Sequence, residues 1–356
     1  MLLRDLTDGQ DVDRVLLVRE VQPRVKRDGT AFLKVTLGDR SSRVTAMSWE
    51  DVDAARELCV GGEPVHVRGR FELHPRYGGQ VAVEALRAPV EGSFDPADLE
   101  DGPPRPAGAM EADLRELVAS VRAPHLRELL DRVLGPDAPT WTEYRRAPAA
   151  KHYHQAYAHG LLEHSLTVAQ AAASMAATFP GVDRDVVICG ALLHDIGKLD
   201  AYTTDPACIE MTDLGRLQGE IPLGYFRIRT EIDRIPGFPA EAAGAVLHII
   251  LAHHGTLEHG SPVVPSTREA TIVHFCDNLG GRLGTFDRLE KQLPAGAAWS
   301  GYDRALSGSA YFGPCDAPAP VAAAPALEPP APAPEETLTF DLGLGLEPEP
   351  VGRRAA

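Results

Sequence analysis

Residues 186–198 read VVICGALLHDIGK, and this stretch decides how the larger part of the chain is interpreted. Its eight apolar or small residues predict a buried helix that ends at the pair His194-Asp195. Polar groups at the end of such a run cost free energy unless they are paired or bound to a metal. Lys198, one turn beyond Asp195, explains the carboxylate as an ion pair but does not explain the imidazole of His194.

The same arrangement recurs elsewhere in the chain. The pair His253-His254 ends a second apolar run, and Asp277 lies within a third. His164 lies at the edge of the apolar face of a helix predicted over 156–178. A single histidine of this kind is more often satisfied within the core. Separate helices that deliver His, His-Asp, His-His and Asp predict a metal site, because imidazole and carboxylate together suit divalent ions.

The chain is predicted to be a multidomain protein, a small β-barrel followed by an all-helical domain. Residues 1–91 alternate in hydrophobicity over five short runs, with one helix between the third and fourth, which is typical of an OB-fold barrel. A Pro- and Gly-rich linker is predicted over 92–109 and helical periodicity over 110–306. The Ala/Pro/Glu-rich residues 307–356 predict a disordered tail.

Individual elements follow from the same patterns. Strands are predicted over 12–18, 31–37, 43–49, 64–71 and 80–86. Helices are predicted over 51–58, 156–178, 184–194, 240–252 and 266–283. Within the tail, 338–344 (LTFDLGL) is an apolar island flanked by acids. It is interpreted either as a docking peptide for a protein partner or as a remnant without one.

Composition and charge narrow the class of protein. The 356 residues carry a formal net charge of −16, which argues against nonspecific coating of nucleic acid. Residues 1–91 hold 14 Lys and Arg against 15 Asp and Glu, so the barrel can still present a local basic face. The five cysteines are scattered without CxxC spacing and fit a reducing cytoplasm. We expect neither a signal peptide nor a membrane span, because no apolar run approaches about 20 residues.

The helical region resembles the HD-domain metal phosphohydrolases, whose pattern is His, then His-Asp, then Asp. More specifically, the chain resembles the YhaM-type 3′-to-5′ exoribonucleases, in which an OB-type nucleic-acid-binding domain precedes an HD domain. The resemblance covers about residues 12–300 and is strongest over 147–282. The segments that carry it are AAK at 149–151, GLLEH at 160–164, HDIGK at 194–198, LAHHG at 251–255, GSPV at 260–263 and DNL at 277–279. The Gly-Ser-Pro segment separates this family from other HD proteins.

The resemblance implies a centre that binds one or two divalent ions. The ligands implied for the first ion are His164, His194, Asp195 and Asp277. The second ion would be bound by His253 and His254, with Asp195 as a bridge. Family members usually carry a histidine where this chain has Glu220. Glutamate can still bind the second ion, so Glu220 is a predicted ligand, while the number of ions stays open. Because carboxylate favours harder ions, Mn²⁺ is the predicted ion, with Mg²⁺, Fe²⁺ and Co²⁺ as alternatives.

Asp195 and Lys198 are the predicted catalytic residues. A divalent ion lowers the pKa of a water from about 15.7 toward 7, which supplies hydroxide near neutral pH. Lys198 is predicted to neutralise phosphate charge in the transition state, and a plain salt bridge to Asp195 explains it equally well.

The barrel directs the predicted substrate toward single-stranded nucleic acid. OB-folds stack bases on aromatic side chains beside a cationic groove, at roughly 1–3 kcal/mol per base. The predicted contacts are Lys34, Arg43, Arg76 and Tyr77 in the barrel and Lys151 and His154 in the helical domain. Tyr77 is preferred for stacking because it lies in a Gly-rich hairpin. Phe32, Trp49 and Phe71 are also available, and at least half of these four aromatic residues are expected in the core.

Three functions are consistent with these features. The leading hypothesis is a metal-dependent 3′-to-5′ exoribonuclease that hydrolyses single-stranded RNA to nucleoside monophosphates, with the choice between RNA and DNA left open. The second is an HD phosphohydrolase that acts on free nucleotides or cyclic dinucleotides, which leaves the barrel unexplained. The third, motivated by Glu220, is a non-catalytic adaptor that binds single strands.

Overall fold

The computed structural model describes residues 2–313 apart from 27, 50, 75–77, 152–154, 204, 206, 292, 294 and 295. Five strands in this part of the chain form a closed barrel with the neighbour order β1-β2-β3-β5-β4. They are β1 (Asp11–Val25), β2 (Ala31–Gly38), β3 (Arg43–Ser48), β4 (Pro64–His74) and β5 (Gly78–Arg87), with helix α1 (Val52–Leu58) between β3 and β4. Strands β3 and β5 run parallel, whereas the other described pairs are antiparallel. The predicted small barrel is confirmed.

The period of two along β2 explains how the barrel builds its core. Leu33, Val35 and Leu37 are buried inside, while the residues between them lie on the outer face. Leu33 pairs with Ser48 of β3. This register fixes which side chains of β2 and β3 stand next to each other outside the barrel.

The helical domain follows in residues 107–291. Its helices are α2 (Ala107–Ala119), α3 (Pro124–Leu134), α4 (Trp141–Arg146), α5 (Gly160–Thr178), α6 (Arg184–Leu193), α7 (Lys198–Ala201), α8 (Asp213–Gln218), α9 (Glu220–Asp233), α10 (Ala240–Ala252) and α11 (Arg268–Lys291). Short 3₁₀ helices cover Leu3–Asp5, Pro96–Asp98 and Leu257–His259. The described helices do not include one with both the length and the apolar character needed to cross a bilayer.

Helix α6 is the centre of the helical core. Every residue of 186–193 is buried, and α3, α5, α10 and α11 pack against it. Its first turn is capped by Asp183, whose carboxylate accepts hydrogen bonds from the backbone N–H groups of Asp185 and Val186. Because α6 is enclosed, the residue that follows it, His194, emerges inside the domain rather than at its surface.

The predicted helices agree with the structure at their centres and differ at some ends. Helix α10 matches the prediction, whereas α5 begins at Gly160 and α11 continues to Lys291. Helix α2 begins at Ala107, within the predicted linker. Helices α4, α7, α8 and α9 have no counterpart among the individually predicted helices, and α9 is the longest of them. Pro222 lies in its first turn, where a proline leaves no helical hydrogen bond unmade.

The ordered chain extends past the predicted start of the tail. The backbone N–H of Ser300 donates to the carbonyl of Ala310 at 2.9 Å, and Asp303 bridges to Gly308. Residues 307–313 therefore pair with the segment just before them. The remaining tail, 314–356, with its apolar island, lies outside the described residues.

Candidate functional site

Three side chains from three parts of the helical domain meet in its interior. Nε2 of His164, on α5, lies 3.2 Å from Nε2 of His194 and 3.0 Å from Oδ1 of Asp277, on α11. The two histidines are buried and Asp277 is half-buried. Their ligand atoms all lie within 4.8 Å of one another, a spacing suited to one metal ion. We call these residues the first group, and all three are among the predicted ligands.

A second group is formed by Glu220, His253 and His254. Glu220 begins α9, and the two histidines follow α10 directly. Nε2 of His254 lies 3.6 Å from Oε1 of Glu220, and the ligand atoms of the group all lie within 4.8 Å. The carboxylate that replaces the expected histidine thus lies where a ligand is needed.

Asp195 lies between the two groups. Its Oδ2 is 3.4 Å from Nε2 of His164 and 3.3 Å from Nε2 of His194. Its Oδ1 is 3.6 Å from Nε2 of His253. One carboxylate therefore faces the first group with one oxygen and the second group with the other, which is the arrangement of a bridging ligand.

Backbone carbonyls orient three of the histidines. Their Nδ1 atoms contact carbonyl oxygens in the pairs His194–Ala191 (2.7 Å), His253–Ile250 (2.8 Å) and His254–His259 (2.9 Å). A carbonyl oxygen can only accept, so Nδ1 carries the hydrogen in each ring. When these rings are neutral, the lone pair is on Nε2, the atom that faces the site, as is common for metal-binding histidines.

The Gly-Ser-Pro segment shapes the second group. The 3₁₀ helix Leu257–His259 follows the two histidines, and its last carbonyl accepts the hydrogen bond from His254. Gly260 then turns the chain with a φ of +90°, and the backbone N–H of Ser261 donates to the carbonyl of Thr256 at 3.2 Å. The segment thus folds back and holds the ring of His254 in place.

Two buried atoms indicate that a cation fits this site. Oδ1 of Asp195 and Nε2 of His253 are buried and have no hydrogen-bond partner among the described residues. At 3.6 Å they are too far apart for a hydrogen bond with each other. A buried unsatisfied polar atom costs about 1–3 kcal/mol. A divalent ion held between them would satisfy both atoms, and a set of imidazoles and carboxylates suits such an ion.

The charges of the site are strongly coupled. Burial opposes ionisation of His194, yet the carboxylates of Asp195 and Asp277 raise its pKa to about 10. Burial likewise opposes ionisation of Asp195, but Lys198 and His194 hold the pKa of its carboxyl well below the ordinary value. A bound cation would take the place of the proton on His194, so binding is expected to release protons.

Lys198 is nearly enclosed, with 8% of its surface exposed. Its Nζ donates to Oδ2 of Asp195 at 2.7 Å and lies 4.0 Å from Oε1 of Glu220. Lys198 was interpreted either as a salt bridge to Asp195 or as a group that neutralises phosphate charge, and the contact that the structure shows is the salt bridge. Its role in neutralising phosphate charge stays a prediction.

The residues predicted to bind nucleic acid lie in different surroundings. Lys34 is half-buried on the outer face of β2. The guanidinium of Arg43 donates to the carbonyl of Ala156, which ties the barrel to the helical domain. Nζ of Lys151 lies 2.7 Å from Oε2 of Glu210. The contact of Arg43 favours a role in joining the domains. Arg76, Tyr77 and His154 lie outside the described residues.

The described barrel carries an aromatic surface that the sequence analysis did not single out. Phe32 and Trp49 stack with ring centroids 4.6 Å apart, and Nζ of Lys26 lies 3.9 Å from the Trp49 centroid. Trp49 is 45% exposed, whereas Phe71 is buried in the barrel core. We call Lys26, Phe32 and Trp49 the aromatic platform. The outward register of β2 is the signal that could have found Phe32.

Comparisons with known proteins agree with this arrangement. The model of the HD domain matches residues 161–281, which include both groups and Asp195. The chain is 28% identical over 289 residues to the 3′-5′ exoribonuclease YhaM of Geobacillus sp. (strain WCH70), covering 80% of this chain and 87% of that protein. It is 27% identical over 294 residues to the 3′-5′ exoribonuclease YhaM of Bacillus subtilis (strain 168), covering 80% and 90%.

The helical fold and its His/Asp cluster therefore define an HD-domain phosphohydrolase with a site suited to a divalent metal. The chain is, more particularly, a distant relative of the YhaM 3′-5′ exoribonucleases that carries a five-stranded barrel before its HD domain.

Proposed function

We propose that this protein is a metal-dependent 3′-to-5′ exoribonuclease that releases nucleoside monophosphates from single-stranded RNA. The observation that carries the proposal is the joining of two ligand groups through the two oxygens of Asp195. The activity named for both relatives supports the choice of reaction, and the barrel supports the choice of substrate.

The side chains of the site have distinct roles in this proposal. When bound, divalent ions would acidify a water and polarise the oxygens of the scissile phosphate. Asp195 would fix the distance between the two groups, since each of its oxygens faces one of them. Lys198 acts as a positioning residue because its ammonium holds that carboxylate ionised and oriented. Asp277 and His254, which are only half-buried, mark the side of the centre that a phosphate can reach.

The aromatic platform is proposed to hold the strand. A chain with a net charge of −16 repels nucleic acid at long range, so short-range contacts must supply the affinity. Trp49 is 45% exposed, and a base that stacks on its exposed part would contribute roughly 1–3 kcal/mol of binding free energy. Lys26 beside it and Lys34 on the outer face of β2 are placed to meet phosphates.

The test is a nuclease assay on two copies of one RNA strand, labelled at the 3′ or the 5′ end, with Mn²⁺ present. We expect the 3′ label to leave at once as a mononucleotide, whereas the 5′-labelled strand shortens stepwise. Chelation should stop both reactions. A matched control is His248→Ala, a histidine of α10 outside both groups, which should retain activity.

Other outcomes would support the alternative functions. If the protein binds RNA but cleaves none with any divalent ion tested, it is an adaptor. Hydrolysis of free or cyclic nucleotides with intact RNA left over would indicate a nucleotide hydrolase. Early release of the 5′ label as a mononucleotide would contradict the proposed 3′-to-5′ direction of degradation.

A further inference from the structure

The imidazole of His274 contacts the second group, although the proposed chemistry does not use it. His274 lies on α11, one helical turn before Asp277. Its Nδ1 lies 2.8 Å from the backbone carbonyl oxygen of His253, and because that oxygen only accepts, the ring donates. The last carbonyls of a helix have no partner within the helix. His274 therefore supplies a partner at the end of α10, where the second group begins.

The turn after His254 is shaped to admit this ring. Gly255 has a φ of +81°, and a Cβ at this position would lie 2.1 Å from Cε1 and 2.3 Å from Nε2 of His274. Any other residue would be strained in this conformation and would also displace the imidazole. The absence of a side chain lets the ring of His274 pack directly on the backbone that carries both histidine ligands.

The contact links the two groups mechanically. Helix α11 carries Asp277 of the first group, and α10 leads into His253 and His254 of the second. The ring of His253 is already held by its own helix through the carbonyl of Ile250. The hydrogen bond from His274 connects the two helices. The position of the second group therefore depends on the position of α11, which carries Asp277 of the first group.

We propose that His274 is a positioning residue for a second metal ion. By holding the carbonyl of His253, it sets the direction in which Nε2 of this residue faces Oδ1 of Asp195. The inference rests on the proposed function, since it requires a centre that holds two ions. Partners of this kind that orient ligands typically change metal affinity by about 10–100-fold.

The test is titration of the metal-free, full-length protein with Mn²⁺, followed by calorimetry and by electron paramagnetic resonance. We expect two ions for the unaltered protein. In His274→Ala, affinity for one ion should fall by about 10–100-fold while the other is retained. In His274→Asn, an amide N–H lies near the former Nδ1 and should restore most of that affinity. His248→Ala is the matched control, and melting curves confirm folding.

Each outcome is decisive. Two ions bound by His274→Ala with unchanged affinities would overturn the proposal, as would equal loss of both ions from a folded variant or failure of His274→Asn to restore binding. If the unaltered protein binds only one ion, this inference fails while a one-ion exoribonuclease still stands. If it binds two ions but cleaves no RNA, the proposed function fails, but the metal titration of the His274 variants still tests the positioning role.

Discussion

The barrel and the helical domain place their functional side chains in opposite ways. In the helical domain, His164 and His194 are each 1% exposed and Asp195 is 2% exposed. On the barrel, Trp49 is 45% exposed and its ring contacts Phe32 and Lys26. The comparison shows that the candidate metal ligands are fixed by packing inside a core, whereas the surface proposed to hold a strand is partly accessible.

The difference has an energetic consequence. A buried charge that loses its partner is left uncompensated, which costs several kcal/mol. A side chain on the barrel surface that loses its neighbour regains contact with water. Changes in the helical domain should therefore abolish the reaction, while changes on the barrel should alter affinity by degrees.

The largest effect is expected from Asp195→Ala. This change removes the carboxylate that faces both groups, and we expect the rate of RNA hydrolysis to fall by at least about 10³-fold. The dissociation constant for RNA should change by less than about threefold, because the aromatic platform is untouched. Single-turnover rates and fluorescence anisotropy measure the two quantities. Asp137→Ala, at an exposed position, is the control, and a large loss of RNA affinity in Asp195→Ala would break the comparison.

Glu220 should show an intermediate effect. In Glu220→Gln we expect affinity for one Mn²⁺ to fall by about tenfold, because ligand charge sets affinity for hard cations. In Glu220→His binding should return, with the preference moved from Mn²⁺ toward Zn²⁺ or Co²⁺, since imidazole is the softer ligand. Competition titrations with these ions measure both changes. An unaltered ion preference in both variants would remove Glu220 from the second group.

Trp49→Ala should weaken binding without slowing the chemical step. Loss of one stacked base costs roughly 1–3 kcal/mol, so KM for RNA should rise roughly 5- to 150-fold while kcat stays the same. Steady-state assays over a range of RNA concentrations separate the two constants. Phe179→Ala removes an exposed aromatic residue outside the platform and should change neither. A fall in kcat with constant KM would contradict the division of roles between the domains.

The smallest expected effect is a difference between Lys34 and Arg43 in the salt dependence of RNA binding. If Lys34 meets a phosphate, Lys34→Ala should reduce the slope of log affinity against log salt by about 0.7. Arg43→Ala should leave that slope unchanged, because its guanidinium is bonded to Ala156. It should instead lower the free energy of unfolding by about 1–3 kcal/mol. Binding measured at several salt concentrations, together with denaturant unfolding, tests both, and equal slopes for the two variants would refute the distinction.

The two domains also differ in how well their sites could be predicted. The ligands of the helical domain stand out because a polar pair at the end of a buried helix is a local pattern, visible in 186–198. The barrel strands were equally visible through their alternation. The aromatic platform was not, since Phe32, Trp49 and Phe71 look alike in sequence and only the folded barrel separates half-buried Phe32 and exposed Trp49 from the buried ring of Phe71.

The sequence by itself predicted the order of the two domains and the candidate ligands that the structure brings together in the two groups around Asp195. Only the tertiary structure decided that Arg43 joins the two domains and that His274 holds the carbonyl of His253. It also supplied the distances at which the two oxygens of Asp195 face the two groups. Alternation and helical period act over a few residues and can be read along the chain. Contacts such as that between Arg43 and Ala156 join residues far apart in sequence, and their distances are set by how barrel and helices pack together.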